Sequence, residues 1–370
     1  MPFPPLVEPV AALSDAERGR TARHAVLAGF GEISQRRLAA ARVAVIGAGG
    51  LGSPAILALA AAGIGELIVI DDDVVELSNL QRQVVHRRAD IGRPKVASAV
   101  RVAADLGAET VVTTVPERVT PANAPDLLRN AHLVIDGSDT FETRAAVAAA
   151  CETLGIPLVW GTLQEFDAQV TVFWSAPPAG TAPVVLADLY PPDSVGEVPT
   201  CAQVGVLGAL CLQVGGVLAI EAIKLLTGIG EPLLGRILLI DSLRARQREV
   251  PLLPTRATTT APEPGTAAPN PQPAPVVRLD PAGVAARRRD GVVVLDVREP
   301  DETARGTIPG ALLVPLGDLL AAPASLGHGP FLVICQAGAR AQRAADALHA
   351  AGASAEVLAG GMNTWEGDTA

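Results

Sequence analysis

Lysine is nearly absent from this chain: Lys95 and Lys224 are the only two, and arginine supplies the rest of the positive charge. Each lysine is therefore a position to watch. Cysteine is scarce too. Cys151, Cys201, Cys211 and Cys335 form no C-x-x-C pair, which excludes a disulfide framework and a zinc site built on such pairs. A reducing, cytoplasmic compartment is the expectation. Positive charge is in the minority, with a net charge of −10, so neither nucleic acid nor an anionic membrane is expected as the main partner. The first residues, Met1-Pro2-Phe3-Pro4-Pro5, lack the basic-then-apolar order of a signal peptide, and no export signal is expected. The one long apolar run, residues 204–226, is interrupted by Gln213, Glu221, Lys224 and several glycines. It is expected as a core helix and not as a membrane span. There is no internal repeat.

What is present points to two modules. With 370 residues, 49% of them hydrophobic, the chain has room for two or three domains with full cores. From residue 42 onward the order is strand (43–46), glycine loop (47–52), alanine-rich helix to residue 62, and strand (67–70), a βαβ unit. Further strands are predicted at residues 111–112, 133–135, 158–160, 170–173 and 237–240. Residues 1–250 thus read as a doubly wound, Rossmann-like α/β domain. Residues 251–275 are rich in Pro, Ala and Thr without apolar period and read as an extended linker. A smaller α/β domain over residues 276–370 follows.

In the first module Gly47-Ala48-Gly49-Gly50-Leu51-Gly52 matches G-x-G-x-x-G between a strand and a helix, and Asp71 ends the next strand, where a ribose hydroxyl is bound. Alone, this would indicate an NAD or FAD enzyme. Ser78-Asn79-Leu80-Gln81-Arg82-Gln83, then Gly92-Arg93-Pro94-Lys95, then Asp136-Gly137-Ser138-Asp139 follow in order. Hydride transfer does not need these groups. Phosphoryl or nucleotidyl transfer does, because cations neutralise charge building up on phosphate and a carboxylate holds Mg²⁺.

On these motifs, residues 20–248 resemble the MoeB/ThiF family of ubiquitin-activating-enzyme-like adenylyltransferases. The resemblance implies adenylation of the C-terminal glycine of a small ubiquitin-like sulfur carrier. It implies that Gly47, Gly49, Gly50 and Gly52 cradle the nucleotide, that Asp71 holds the ribose, and that Ser78 to Arg82 and Lys95 form the phosphate side, with Asn79, Arg82 and Lys95 in contact. Asp139 would bind Mg²⁺. It also implies a homodimer in which an arginine near the N-terminus, here Arg23, reaches the partner's ATP. Two departures stand out: Thr140 replaces the asparagine usual after the aspartate, and the family's two C-x-x-C pairs are missing. A zinc-free member is expected, with a mobile loop over residues 175–200. Cys201 stands where the family places its acyl-accepting cysteine, whereas Cys151 and Cys211, in apolar helical stretches, read as packing residues.

In the second module, Cys335-Gln336-Ala337-Gly338-Ala339-Arg340 follows an apolar strand and opens a helix. A thiol is a nucleophile only as thiolate, and a loop of N–H groups at a helix start, closed by an arginine, favours that anion. With Asp296-Val297-Arg298, Gly306-Thr307-Ile308-Pro309-Gly310-Ala311, and Leu358 to Met362 before Trp365, the region resembles a rhodanese domain. The resemblance implies that Cys335 carries a persulfide, that Arg340 closes its loop, and that thiosulfate or a cysteine desulfurase persulfide supplies the sulfur. The combined layout resembles MoeZ-type fused adenylyltransferase–sulfurtransferases. Two rivals remain at this level: an NAD(P)-dependent oxidoreductase fused to a rhodanese, and an inactive module that only docks a carrier.

Overall fold

The computed structural model describes residues 3–191, 205–254, 276–289, 291–365 and 367. They belong to two compact units, within residues 1–260 and 261–370. The proposed linker over 251–275 lies almost wholly outside the described residues; the last strand before it ends at Pro251.

The first unit is built on an eight-stranded sheet in the order β3-β2-β1-β4-β5-β6-β7-β8. The strands are β1 (Arg42–Ile46), β2 (Glu66–Ile70), β3 (Val111–Val115), β4 (Leu133–Asp136), β5 (Leu158–Gln164), β6 (Asp167–Phe173), β7 (Arg236–Asp241) and β8 (Arg246–Pro251). The first five pair in parallel, and β6, β7 and β8 continue the sheet antiparallel. Strand residues alternate between faces, and β1 shows why both faces are covered. Val43 and Val45 enter one apolar core, while Ala44 and Ile46 enter another on the opposite side. Chain order reverses between β1 and β4, so a crevice opens beyond their carboxyl ends, where doubly wound folds bind ligands. The glycine loop follows β1, and the loop from Gly137 to Thr140 follows β4.

The apolar run predicted as a core helix is the helix Gly208–Thr227. It is the one described helix long and apolar enough to cross a membrane, and 56% of that stretch is buried. It lies so close to the helix Gly52–Ala62 that a Cβ added at Gly215 would stand 2.2 Å from Pro54 Cγ. The mobile loop expected over residues 175–200 is corrected for its first part. Trp174 and Val184 each donate a backbone N–H to the other's carbonyl, at 2.7 and 3.1 Å. Val184 and Leu186 are buried, and Tyr190 packs edge-on against Phe141 and Trp160. The few apolar residues in this Pro- and Gly-rich stretch anchor it. Residues 192–200 lie outside the described residues.

The second unit is a parallel five-stranded sheet in the order β11-β10-β12-β13-β9. Its strands are β9 (Val277–Leu279), β10 (Val293–Asp296), β11 (Leu312–Leu313), β12 (Phe331–Ile334) and β13 (Ala355–Leu358). Its two faces are again separate cores, Leu295 and Val333 facing one and Val294, Leu332 and Ile334 the other. The central strand β12 leads directly into Cys335, and the helix Ala339–Ala350 follows.

Candidate functional site

In the first unit a cleft of about 210 Å³ opens at the crevice between β1 and β4. Gly47, Gly49, Gly50, Asp71, Arg82, Lys95, Asp139 and Thr140, all expected there, line it. Close packing around the loop accounts for its glycines at several positions. A Cβ at Gly52 would fall 1.7 Å from the carbonyl oxygen of Gly47, and one at Gly50 would fall 3.1 Å from Cys211 Sγ. Gly52 therefore shapes the turn without lining the cleft. Cys211, read as a packing residue, is buried as expected and also floors the cleft under the loop.

Asp71 ties the loop to β2: Oδ2 accepts the Ala48 N–H at 2.7 Å and Oδ1 accepts the Asp73 N–H at 2.8 Å. Burial pushes its carboxyl above the ordinary value, against the pull of Lys95. Lys95 is itself nearly buried, and its Nζ donates to Asp73 Oδ2 at 2.7 Å. Asp71, Asp72 and Asp73 place three carboxylates together, the one such group of metal-ligating side chains among the described residues.

Ser78, Asn79, Leu80 and Gln81 do not line the cleft. Asn79 is buried, and its Oδ1 accepts the Glu76 N–H at 3.0 Å, closing a turn whose next residues are Arg82 and Gln83. The Ser78 hydroxyl donates to Glu76, and the backbone carbonyl of Gln81 abuts Gly208. The motif thus builds the turn that presents Arg82 and Gln83 to the cleft. Arg23 is exposed on a short N-terminal helix and does not line the cleft of its own chain. Cys201 lies outside the described residues.

Sequence reasoning left three residues in or behind this cleft without a role. Gln83, the last residue of its motif, lines the cleft with Oε1 buried and unpartnered. His86 is buried three residues later, Nε2 3.0 Å from the Ala48 carbonyl oxygen, and burial pushes its imidazole below the ordinary value. Arg144 donates through Nη2 to the Ser138 carbonyl oxygen at 2.9 Å and lies over Trp160, steadying the loop that carries Asp139. The other end of that loop is held by the fully buried Asp136, whose Oδ1 accepts the Ser138 N–H at 2.9 Å. Burial raises the Asp136 carboxyl. Proximity to the motif is a signal that could have singled out Gln83 and His86, whereas no local signal marks Arg144. Thr140 caps the helix Phe141–Leu154 by accepting the Thr143 N–H, so its hydroxyl is used structurally.

In the second unit Cys335 Sγ is buried and accepts N–H donation from Gly338 at 3.1 Å and Ala341 at 3.3 Å. Two amides thus face the sulfur where thiolate charge would sit. Arg340 closes the loop differently from expectation: it forms a bidentate pair with Glu302, at 2.5 and 2.6 Å, and that pairing lowers the Glu302 carboxyl. Gln336 is held at both ends. Its Oε1 accepts from Arg298 Nη1 at 3.0 Å, and its Nε2 donates to Asn363 Oδ1 at 2.7 Å. Arg298 in turn is ion-paired with the buried Asp296. Gly361 comes so close that a Cβ there would stand 2.3 Å from the Cys335 carbonyl oxygen.

Comparisons with known proteins agree with both modules. The ThiF family model matches residues 21–261, and the rhodanese-like domain model matches residues 280–368. The probable adenylyltransferase/sulfurtransferase MoeZ of Mycobacterium tuberculosis is 41% identical over 98% of this chain and 96% of its own length. The sulfur carrier protein adenylyltransferase of Thermus thermophilus is 43% identical over 63% of this chain and 87% of its own length. Among solved structures, E. coli MccB superposes on 66% of this chain and 74% of its own with a TM-score of 0.55. At 20% identity that likeness shows the fold alone. With matches across both units, the chain belongs to the ThiF family and carries a rhodanese-like domain after the family domain.

Proposed function

We propose that the first unit adenylates the C-terminal glycine of a small ubiquitin-like sulfur carrier, and that Cys335 supplies the sulfur that turns the product into a thiocarboxylate. The chain is an adenylyltransferase and sulfurtransferase. The observation that carries the reading is the convergence of the glycine loop, Arg82, Lys95 and Asp139 on one cleft. A nicotinamide enzyme fused to a rhodanese would leave those two cations and that carboxylate without a task.

The carrier carboxylate attacks the α-phosphate of ATP, pyrophosphate leaves, and an acyl-adenylate forms. Arg82 and Lys95 offset the charge that accumulates on phosphate oxygens, the kind of preorganised stabilisation that lowers such barriers most. Lys95 must first exchange Asp73 for phosphate. Asp139 would hold Mg²⁺, with the nearby carboxylates of Asp71 to Asp73 as a compatible hard-oxygen donor set, and the ion would neutralise phosphate charge. The outer sulfur of the Cys335 persulfide then attacks the acyl carbon and AMP leaves. A second thiol cleaves the resulting acyl disulfide, releasing carrier thiocarboxylate and leaving a disulfide to be reduced. Cys201 fits either as that resolving thiol or as an earlier acyl acceptor.

We read the assembly as a homodimer in the cytoplasm. Leu212 and Ile220, two turns apart on the helix Gly208–Thr227, are 46% and 54% exposed, and Val26, just beyond Arg23, is 76% exposed. These unpartnered apolar side chains favour a second copy of the chain.

The test is mass spectrometry of a carrier ending in Gly-Gly, looking for replacement of one oxygen by sulfur. Cys335→Ala should keep carrier-dependent ATP–pyrophosphate exchange and lose thiocarboxylate formed from a sulfane donor. Added sulfide should restore it, since sulfide attacks the acyl-adenylate directly. Unchanged thiocarboxylate in Cys335→Ala with the sulfane donor would refute the relay.

A further inference from the structure

The sulfur-loading loop offers no available cation to a donor. Arg340 is the one charged residue in the stretch from Cys335 to Arg340, and both of its terminal nitrogens are engaged by the Glu302 carboxylate. The only other polar side chain of the loop, Gln336, is fixed between Arg298 and Asn363, and Arg298 is itself neutralised by Asp296. Ala337 is exposed and Gly338 has no side chain. Residues 276–370 carry eight arginines against eleven acidic residues, so the wider field is also negative.

From this charge arrangement we infer that Glu302 sets donor specificity: by occupying Arg340 it disfavours dianionic thiosulfate and leaves the site to persulfides, whose leaving group is a single thiolate. The inference rests on Cys335 being the sulfur carrier. Loading needs no external oxidant. The Cys335 thiolate attacks the outer sulfur of R–S–SH, a new S–S bond forms, the donor S–S bond breaks, and R–S⁻ departs with the electron pair. Thiosulfate would react in the same way with sulfite as leaving group, but its second negative charge would find the guanidinium of Arg340 already paired with Glu302. Displacing Glu302 means giving up two charge-assisted hydrogen bonds.

The experiment loads the full-length protein from thiosulfate or from cysteine persulfide and follows gain of one sulfur atom at Cys335 by mass spectrometry. The wild type should show kcat/KM for thiosulfate lower by about tenfold or more than for cysteine persulfide. Ala337→Lys adds a cation at an exposed position where folding is not at risk, and should raise thiosulfate kcat/KM by about tenfold at low salt. The gain should shrink in high salt, with a smaller change for cysteine persulfide. Glu302→Gln should move the thiosulfate value in the same direction. Equal rates from both donors in the wild type, or an unmoved donor ratio in Glu302→Gln, would overturn the inference. Loading from neither donor would instead remove the sulfur-carrier reading of Cys335 on which it rests.

Discussion

Asp139 and His86 show two ways a single side chain serves the cleft between β1 and β4. Asp139 ends a loop braced on one side by Asp136 and on the other by Arg144, and its carboxylate lines the cleft. Asp139→Ala should abolish ATP–pyrophosphate exchange while Cys335 still gains sulfur, read by radioactive pyrophosphate exchange and intact mass on the same sample. Full exchange in that variant would remove the Mg²⁺ assignment. His86 acts through the glycine loop. Its Nε2 faces the Ala48 carbonyl, and its Nδ1 is buried with no partner, so protonation would strand a buried N–H. Burial holds the imidazole below its ordinary 6.5, so around that pH the unfolded chain binds more protons than the folded one. The stability present above 6.5 is lost as the pH falls from there toward the lowered folded value. His86→Gln keeps an N–H for Ala48 and takes up no proton. Its urea midpoint should fall less than the wild type's between about pH 7.5 and 5.5, which isolates His86 from Asp71 and Asp136, whose raised carboxyls act in the opposite direction. Parallel curves would count against this role.

At the level of elements, the strand-loop-helix turns after β1, β4 and β12 carry the proposed chemistry, and their legibility in the sequence differed. The glycine loop was readable because its two ends, Gly47 at positive φ and Gly52, press against other backbone, a demand that only glycine meets. Gly52→Ala should accordingly cost about 2 kcal/mol or more in stability, since its Cβ meets a carbonyl oxygen and no flexible side chain can yield. A denaturation midpoint within error of wild type would contradict that. The strand and helix around Cys335 were equally readable, from an apolar run followed by a helical one. The pairing of Arg340 with Glu302 was not, because it joins residues far apart in the chain and is decided only when a short helix, Pro300–Thr303, is laid beside the loop. Residues 78–81 were assigned to phosphate on motif grounds, whereas their side chains and backbone spend their hydrogen bonds and packing on the turn itself. The segment after β6 was read as mobile for its Pro and Gly content; three dispersed apolar residues, Val184, Leu186 and Tyr190, decide otherwise.

For the whole molecule, two separate pairs of apolar cores imply two separable melting events. ATP with Mg²⁺ should raise only the transition belonging to the first unit, by about 2.7 kcal/mol at a hundredfold excess over the dissociation constant. Calorimetry in which both transitions move together would show that the units unfold as one. Elemental analysis should find no stoichiometric zinc, because the C-x-x-C pairs that would supply a tetrahedral site are missing from the sequence; one zinc per chain would overturn this. The doubly wound fold and the division into two modules were legible because apolar periodicity repeats over many residues, while long-range pairings are not encoded locally. The last strand of the first sheet carries a further consequence. Every residue of β8 is exposed, and its sequence, Arg246-Gln247-Arg248-Glu249-Val250-Pro251, places charge along the sheet's free margin and ends it on a residue with no N–H to give. Another chain seeking to add a strand there would have to bury those charges and would lose a hydrogen bond at the proline. The first unit is thereby guarded against fibril-like self-stacking along that margin.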